Sequence, residues 1–218
     1  LGKGGVRLAY FPFYMDVEGM VCLIAGGGKV ASRKVFTMLE YGAAVRVIAP
    51  EAEEEIAALA EMGRISYEAR ACAPEDVDGA DFVIAATSDE GLNRAISRRC
   101  KSLRIPVNVV DVQEECSFIF PALVKDGDIV VGISTGGASP AIARMLKDRV
   151  RAAIPEGAGA AAGWMKENRE MVKALVDSQP VREEIFYRLA ELAMSAGGGL
   201  EDGTVKRMIE RKLEESHG

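Results

Sequence analysis

The sequence predicts an α/β fold: a parallel sheet with its helices, followed by a hairpin and a C-terminal helical domain. Three observations carry this. An apolar run, Val21-Cys22-Leu23-Ile24-Ala25, meets a glycine-rich turn and then a helical pattern. Strand-like and helix-like stretches alternate from there to Asp111. Beyond Asp111 come two apolar runs with no helix between them, and then only helical patterns. A β-α-β-α order favours parallel strands joined by right-handed crossovers.

The first strand is 21–25, and the turn after it fits G-x-G-x-x-A with Gly26, Gly28 and Ala31 in the small positions. Gly26 permits the tight strand-to-helix turn. Gly28 lets the backbone approach a pyrophosphate with no side chain in the way, and Ala31 lets the helix pack closely on the strand. The start of that helix presents free N–H groups and partial positive charge to phosphates. The sheet is therefore Rossmann-like, and Gly26, Gly28, Lys29, Val30 and Ala31 are candidate cofactor contacts.

The helix is expected over 31–41, with Val35, Met38 and Leu39 at helical spacing and Gly42 as its stop. Strand two is 45–49, cut by Pro50, and a helix over 53–62 carries Ile56, Leu59 and Ala60 on one side. A short strand at 65–68, a buried-looking strand at 82–86, a helix over 92–103 and a strand at 107–110 complete the alternation. Runs 118–124 and 129–134 read as strands, joined by Lys125-Asp126-Gly127-Asp128 with hairpin chemistry. No helix of its own covers this ribbon, and a two-stranded ribbon is marginal alone, so it is expected to pair with something such as another subunit.

Ser139-Pro140 reads as N-cap and first helical residue of a helix to about 154, with Ile142, Met145, Leu146 and Val150 at apolar spacing. A small-residue linker is expected at 157–163. Helices follow over 164–176, 180–195 (Val181, Ile185, Leu189, Leu192) and 204–215 (Val205, Met208, Ile209, Leu213), the second broken by Gly197-Gly198-Gly199. Their stripes read as core faces. The expected divisions are 1–113, a dinucleotide-binding Rossmann-like domain, 114–150, a dimerisation segment, and 151–218, a helical domain.

With 49% hydrophobic and 28% charged residues, the 218-residue chain has the balance of a soluble globular protein. A net charge of −6 argues against a general nucleic-acid binder. No apolar run reaches the roughly 20 residues of a membrane helix, and residues 1–5 read as a short loose start with no signal peptide. Cys22, Cys72, Cys100 and Cys116 lie far apart without a C-x-x-C, which reads as reduced thiols in a cytoplasmic protein. The single histidine is His217, next to the C-terminus, so a catalytic histidine is nearly excluded.

Several stretches together resemble the precorrin-2 dehydrogenase family, which includes the N-terminal module of sirohaem synthase. They are Phe11-Pro12-Phe13-Tyr14 with Asp16; the glycine loop with Arg33-Lys34; Ala85-Ala86-Thr87-Ser88-Asp89 with Asn93; and Pro106-Val107-Asn108-Val109-Val110-Asp111. The two most specific are Cys116-Ser117-Phe118-Ile119-Phe120-Pro121 and Ile133-Ser134-Thr135-Gly136-Gly137-Ala138-Ser139-Pro140. The resemblance implies oxidation of precorrin-2 to sirohydrochlorin with NAD accepting the hydride, and an intertwined homodimer joined by the segment after the dinucleotide domain. Some members also insert ferrous iron, and others leave that step to a separate chelatase. A rival class is the nucleotide-sensing modules of potassium channels. Those share the glycine loop, normally carry an acid closing strand two, and lack the blocks at 116–121 and 133–140.

Asp111 is the candidate catalytic residue. It ends a strand at the carboxyl edge where open α/β sheets bind ligands, a carboxylate there takes the proton that dehydrogenation releases, and it matches the family's catalytic aspartate. The plain alternative is a turn or N-cap aspartate. Thr87, Ser88 and Asp89 are candidate cofactor contacts, Asp89 having the alternative of capping the next helix. Strand two ends Ala49-Pro50-Glu51 without the usual aspartate, which leaves NAD or NADP open on the residues alone. Glu51 is either a ribose partner or a helix start, Arg46 faces an unassigned side, and NAD follows from the resemblance.

Ser134, Thr135, Gly136 and Gly137 precede a helix N-terminus suited to an anion, and the implied substrate carries several carboxylates. They are candidate substrate contacts, with Arg144 and Lys147 further along that helix. The alternatives are a simple chain reversal and a solvated helix face. Arg33 and Lys34 are candidates for steering phosphates or carboxylates. Cys116 and Ser117 form a poor metal site, one thiol without a histidine, so no metal ligands are assigned.

Overall fold

The computed structural model describes residues 10–201 and 203–217, with the side chains of 213–217 left aside. The expected loose start at 1–5 and the side chains of Leu213 and His217 lie outside the described residues. The chain forms two compact units that divide between Phe120 and Pro121.

The first unit carries a five-stranded sheet, β1 (Val21–Ala25), β2 (Ala44–Ala49), β3 (Ser66–Ala69), β4 (Phe82–Ala85) and β5 (Val107–Val109), in the order β3-β2-β1-β4-β5. All neighbours are parallel. This is the doubly wound order, with its reversal between β1 and β4. Successive residues of β1 point to opposite faces. Cys22 and Ile24 join one core with Ala31, Val35 and Met38 of α1 (Lys29–Glu40) and Ile56 of α2 (Glu54–Glu61). Leu23 and Ala25 join the other with Ile96 and Cys100 of α3 (Glu90–Leu103). Helices on both faces explain why β1 and β4 read as continuous apolar runs instead of alternating ones.

The second unit opens with β6 (Ala122–Asp126) and β7 (Ile129–Ile133), an antiparallel ribbon turning through Gly127-Asp128. The run 118–121, expected as strand, is not one. Ser117 N–H donates to the Val107 carbonyl (2.8 Å), Phe118 and Phe120 pack on the sheet core, and Pro121 has no N–H for a ladder. Pairing therefore begins at Ala122. Next comes α4 (Pro140–Ala153), where the Ser139 hydroxyl accepts from Ile142 N–H (3.2 Å) as the N-cap expected.

The linker expected at 157–163 is instead the first turns of α5 (Ala158–Leu175). Its small residues serve close approach. Gly159 N–H donates to the Asp126 carboxylate (3.0 Å), and a Cβ on Gly159 would collide with the Asp126 carbonyl. Val172 and Val176 meet Ile185 and Leu189 of α6 (Gln179–Ser195) and Val205 and Ile209 of α7 (Thr204–His217) in a small helical core.

Candidate functional site

Four loops of the first unit lie at the carboxyl ends of β1, β2, β4 and β5. After β1, Gly26 adopts φ 116°, a value that a side chain strongly disfavours. Its N–H donates to the Ile48 carbonyl at 3.0 Å, and a Cβ would run into the Ala86 carbonyl. A Cβ on Gly27 would strike the Glu51 carbonyl, and the Gly27 carbonyl accepts from Glu53 N–H (2.8 Å). Gly28 differs: a Cβ there meets nothing within 4 Å. Gly28 is exposed, so a phosphate can approach its backbone from solvent.

Gly28 is the N-cap of α1, whose first turn has neither a side-chain cap nor an acidic residue. The leading amides, those of Lys29, Val30 and Ala31 among them, have no intrahelical acceptor and stand beside the positive end of the helix dipole. Lys29 and Val30 are exposed and Ala31 is fully buried against β1. These residues fit a dinucleotide pyrophosphate.

After β4, the loop Thr87-Ser88-Asp89 is held by Asn93, which is nearly buried. The Asn93 amide donates to the Thr87 carbonyl (2.9 Å), while its oxygen accepts from the Thr87 hydroxyl (2.7 Å) and N–H (3.3 Å). Asp89 caps α3 through Leu92 N–H (3.0 Å). Thr87 thus faces inward to Asn93, Asp89 serves the helix, and Ser88 is exposed.

After β5, Val110 N–H donates to the Ala85 carbonyl (3.0 Å) and Val112 N–H closes a turn on the Val109 carbonyl (3.3 Å). Within that turn stands Asp111, exposed, with φ 62°. A non-glycine residue in this region is uncommon, and such strain clusters at functional sites.

After β2 the chain runs Pro50-Glu51-Ala52-Glu53-Glu54-Glu55, a stretch of four carboxylates. Arg46 turns sideways along the sheet, donating to the Asp76 carbonyl (3.1 Å) and lying 3.3 Å from Glu68. Arg70 donates to both Glu68 and Asp76. Hydrogen bonds from the Arg70 guanidinium hold the Asp76 carboxyl down at about 2.

Lys34 lies with its ammonium 3.6 Å above the Phe120 ring, in a cluster with Phe118 and Phe82. Burial lowers its pKa. Arg33 is exposed. Cys116 and Ser117 work as stitches along β5: Val107 N–H donates to the Ser117 hydroxyl (2.7 Å) and Val109 N–H to the Cys116 sulfur (3.1 Å). Among the described residues there is no group of three or more His, Cys, Asp or Glu that could hold a metal ion.

The candidate substrate loop belongs to the second unit. The Ser139 N–H donates to the Thr135 hydroxyl (3.1 Å) and that hydroxyl to the Ser139 carbonyl (3.1 Å). Gly136 N–H donates to the Ser134 hydroxyl (3.1 Å), and Gly136 and Gly137 both have positive φ. Arg144 is exposed one turn into α4 and Lys147 half-buried.

Sequence reasoning gave Gly27 no task and treated Asn93 only as part of a resemblance. Each carried a signal. Gly27 is the extra glycine in a motif that asks for two, and Asn93 shares the buried side of α3 with Ile96, Ser97 and Cys100, where a polar residue needs partners.

Comparison with known proteins gives a consistent picture. Residues 13–122 match the family model described as putative NAD(P)-binding, and residues 126–153 the one described as sirohaem biosynthesis protein central. A sirohaem synthase of Methylobacillus flagellatus is 43% identical over 162 residues, covering 74% of this chain and 35% of that protein. The sirohaem synthase of Methylococcus capsulatus is 39% identical, covering 84% and 38%. That of Nitrosospira multiformis is 38% identical, covering 94% and 44%. The chain thus spans about two fifths of the length of these relatives. Among solved structures, one called SirC, precorrin-2 dehydrogenase, superposes with a TM-score of 0.73 at 23% identity, over 94% of this chain and all of that one. At that identity the likeness speaks for the fold.

Proposed function

This chain belongs to the putative NAD(P)-binding family, and we propose from that premise that it catalyses the NAD-dependent dehydrogenation of precorrin-2 to sirohydrochlorin in sirohaem biosynthesis. The observation that carries the reading is the exposed, uncapped start of α1 at Gly28 beside the β1/β4 reversal, with an aspartate at φ 62° after the carboxyl end of β5. The match of residues 126–153 to a sirohaem biosynthesis segment supports the choice of substrate.

The dehydrogenation removes one hydride and one proton from the macrocycle. Bound NAD supplies the hydride acceptor. Gly26, Gly28 and the amides of Lys29, Val30 and Ala31 would hold its pyrophosphate, and the Thr87–Asp89 loop, braced by Asn93, would contact the same cofactor. Asp111 takes the proton onto its carboxylate. In the second unit, the Ser134–Gly137 turn and Arg144 are the candidate contacts for carboxylates of the substrate. NAD is favoured over NADP because Arg46 is committed to Glu68 and Asp76, and the β2–α2 segment offers a 2′-phosphate only Glu51, Glu53, Glu54 and Glu55.

The protein acts as a homodimer in this reading. Ile142, Met145 and Leu146 of α4 are 52%, 57% and 40% exposed in the single chain, an apolar stripe that a second copy would cover. Four unpaired cysteines support a cytoplasmic setting. The direct test is an anaerobic incubation with precorrin-2 and NAD, followed optically. NADH should form one for one with precorrin-2 consumed, and a failure to reduce NAD would overturn the reading. The same mixture with ferrous ion reports whether the macrocycle is also metallated.

A further inference from the structure

The turn that carries Asp111 is held by a group to which the proposed chemistry assigns no part. β5 is an edge strand, and no sixth strand pairs with it among the described residues. In place of a regular ladder, the side chains of Cys116 and Ser117 and the backbone of 117–118 bond along it. Val109 N–H donates to the Cys116 sulfur (3.1 Å). The Cys116 thiol lies within donating distance of the Val109 carbonyl (3.2 Å) and the Val112 carbonyl (3.3 Å). One sulfur thus spans both ends of the Val109–Val112 turn, with Asp111 between them at φ 62°.

We infer that Cys116 is a positioning residue for Asp111: its thiol clamps the turn in the conformation that presents the carboxylate. The inference rests on the proposed role of Asp111. A side chain at positive φ reverts to commoner conformations unless its surroundings over-determine it, and the sulfur makes contact on both sides of that residue. Burial raises the Cys116 pKa, which keeps the thiol protonated and able to donate. The neighbouring stitch supplies an internal control. Among the described residues Ser117 bonds Val107, through its hydroxyl (2.7 and 3.3 Å) and its N–H (2.8 Å), two residues further from the turn.

The test compares Cys116→Ala, Cys116→Val, Cys116→Ser and Ser117→Ala in the precorrin-2 assay, with NAD affinity measured beside it. Alanine and valine both remove the clamp, one leaving space and one filling it, so valine carries the test should alanine not fold. Both should lower kcat about 10- to 100-fold, the usual cost of a misplaced reacting group, with KM and Kd for NAD unchanged. Serine, which keeps a donor and an acceptor, should restore most of kcat. Ser117→Ala should lower the melting temperature and leave kcat near wild type. Adding Asp111→Ala to Cys116→Val should slow the enzyme no further than Asp111→Ala alone. Wild-type kcat in Cys116→Val, or an equal loss in Ser117→Ala, overturns the inference while Asp111→Ala is still impaired. Wild-type kcat in Asp111→Ala itself overturns the underlying role, and the inference with it.

Discussion

In the unit that ends at Phe120, four consecutive residues of β1, Cys22 to Ala25, are fully buried. In the unit that begins at Pro121, helix α4 has no buried residue at all. The first unit covers both faces of its sheet with its own helices, and its candidate site is made largely of backbone: an open glycine, free amides and a strained turn. The second keeps a small core among α5, α6 and α7 but leaves the apolar stripe of α4 to water. The sheet core of the first unit is complete within a single chain, although Phe11, Phe13, Tyr14 and Phe36 stay exposed outside it, and the α4 stripe of the second is the face we propose a second copy covers. Cofactor binding should therefore be indifferent to protein concentration, whereas the stability of the second unit should depend on it.

The largest expected effect tests the completeness of the first unit. Asp111→Ala removes the proposed proton acceptor and leaves the glycine loop alone. Turnover should fall by about 10²–10⁴-fold, roughly 3–5 kcal/mol of barrier, with NAD affinity unchanged by calorimetry. A wild-type rate would show that the acceptor lies elsewhere. Next in size, Gly28→Trp fills the cradle over α1. Because a Cβ at Gly28 meets no protein atom, folding should survive, and NAD affinity should weaken by at least about 100-fold, the loss of two or more charge-assisted hydrogen bonds. Unchanged affinity would place the cofactor elsewhere.

The second unit yields the third effect. Ile142→Asp with Met145→Asp puts charge into the stripe of α4. Ile142 and Met145 are about half exposed, so burying the rest is worth about 0.8 kcal/mol each; an isologous interface counts both twice, about 3 kcal/mol, and the dimer should weaken by roughly 100-fold. Sedimentation should show a monomer at micromolar concentration with NAD affinity intact. A wild-type protein already monomeric there would break the comparison, since the stripe would then be an ordinary exposed surface.

How much of this was legible in the sequence follows the same division. In the first unit the signals are local. The strand, glycine turn and helix of 21–40 are contiguous, and α1 and α2 were readable from their own apolar spacing. Of the candidate site, the backbone geometry of the glycine turn at Gly26 and Gly28 was legible, and contacts between partners distant in sequence were not. Arg46 meets Glu68 and Asp76 across two further elements, and no spacing rule reaches that far. In the second unit small residues misled. A run such as Gly157 to Gly163 means flexibility when nothing lies beside it and close packing when something does, and the neighbour that decides, Asp126, is 33 residues away in sequence. The run 118–121 misled similarly, because its apolar residues read as strand, whereas Phe118 and Phe120 pack on the sheet core and Pro121 has no N–H for a ladder.

The smallest effect is the sharpest on whether the first unit stands alone. Asp76 accepts from Arg70 (2.6 and 2.8 Å) and from Ala73 N–H (2.7 Å). The Arg70 guanidinium is the chief reason its pKa sits at about 2, below the roughly 3.9 of a free aspartate. A carboxyl depressed in the fold contributes stability above its unfolded pKa, and that contribution is lost as pH falls through its folded one. Asp76→Asn should therefore be less stable than wild type at pH 7. The gap between their urea midpoints should close as pH falls from about 4 to about 2. The whole contact, from β2 to the turn after β3, lies within the first unit. So the gap should be the same at low and high protein concentration, and the same in the Ile142→Asp/Met145→Asp background. A gap that grows with concentration would mean that this carboxylate bears on assembly, and the first unit would no longer count as complete in one chain.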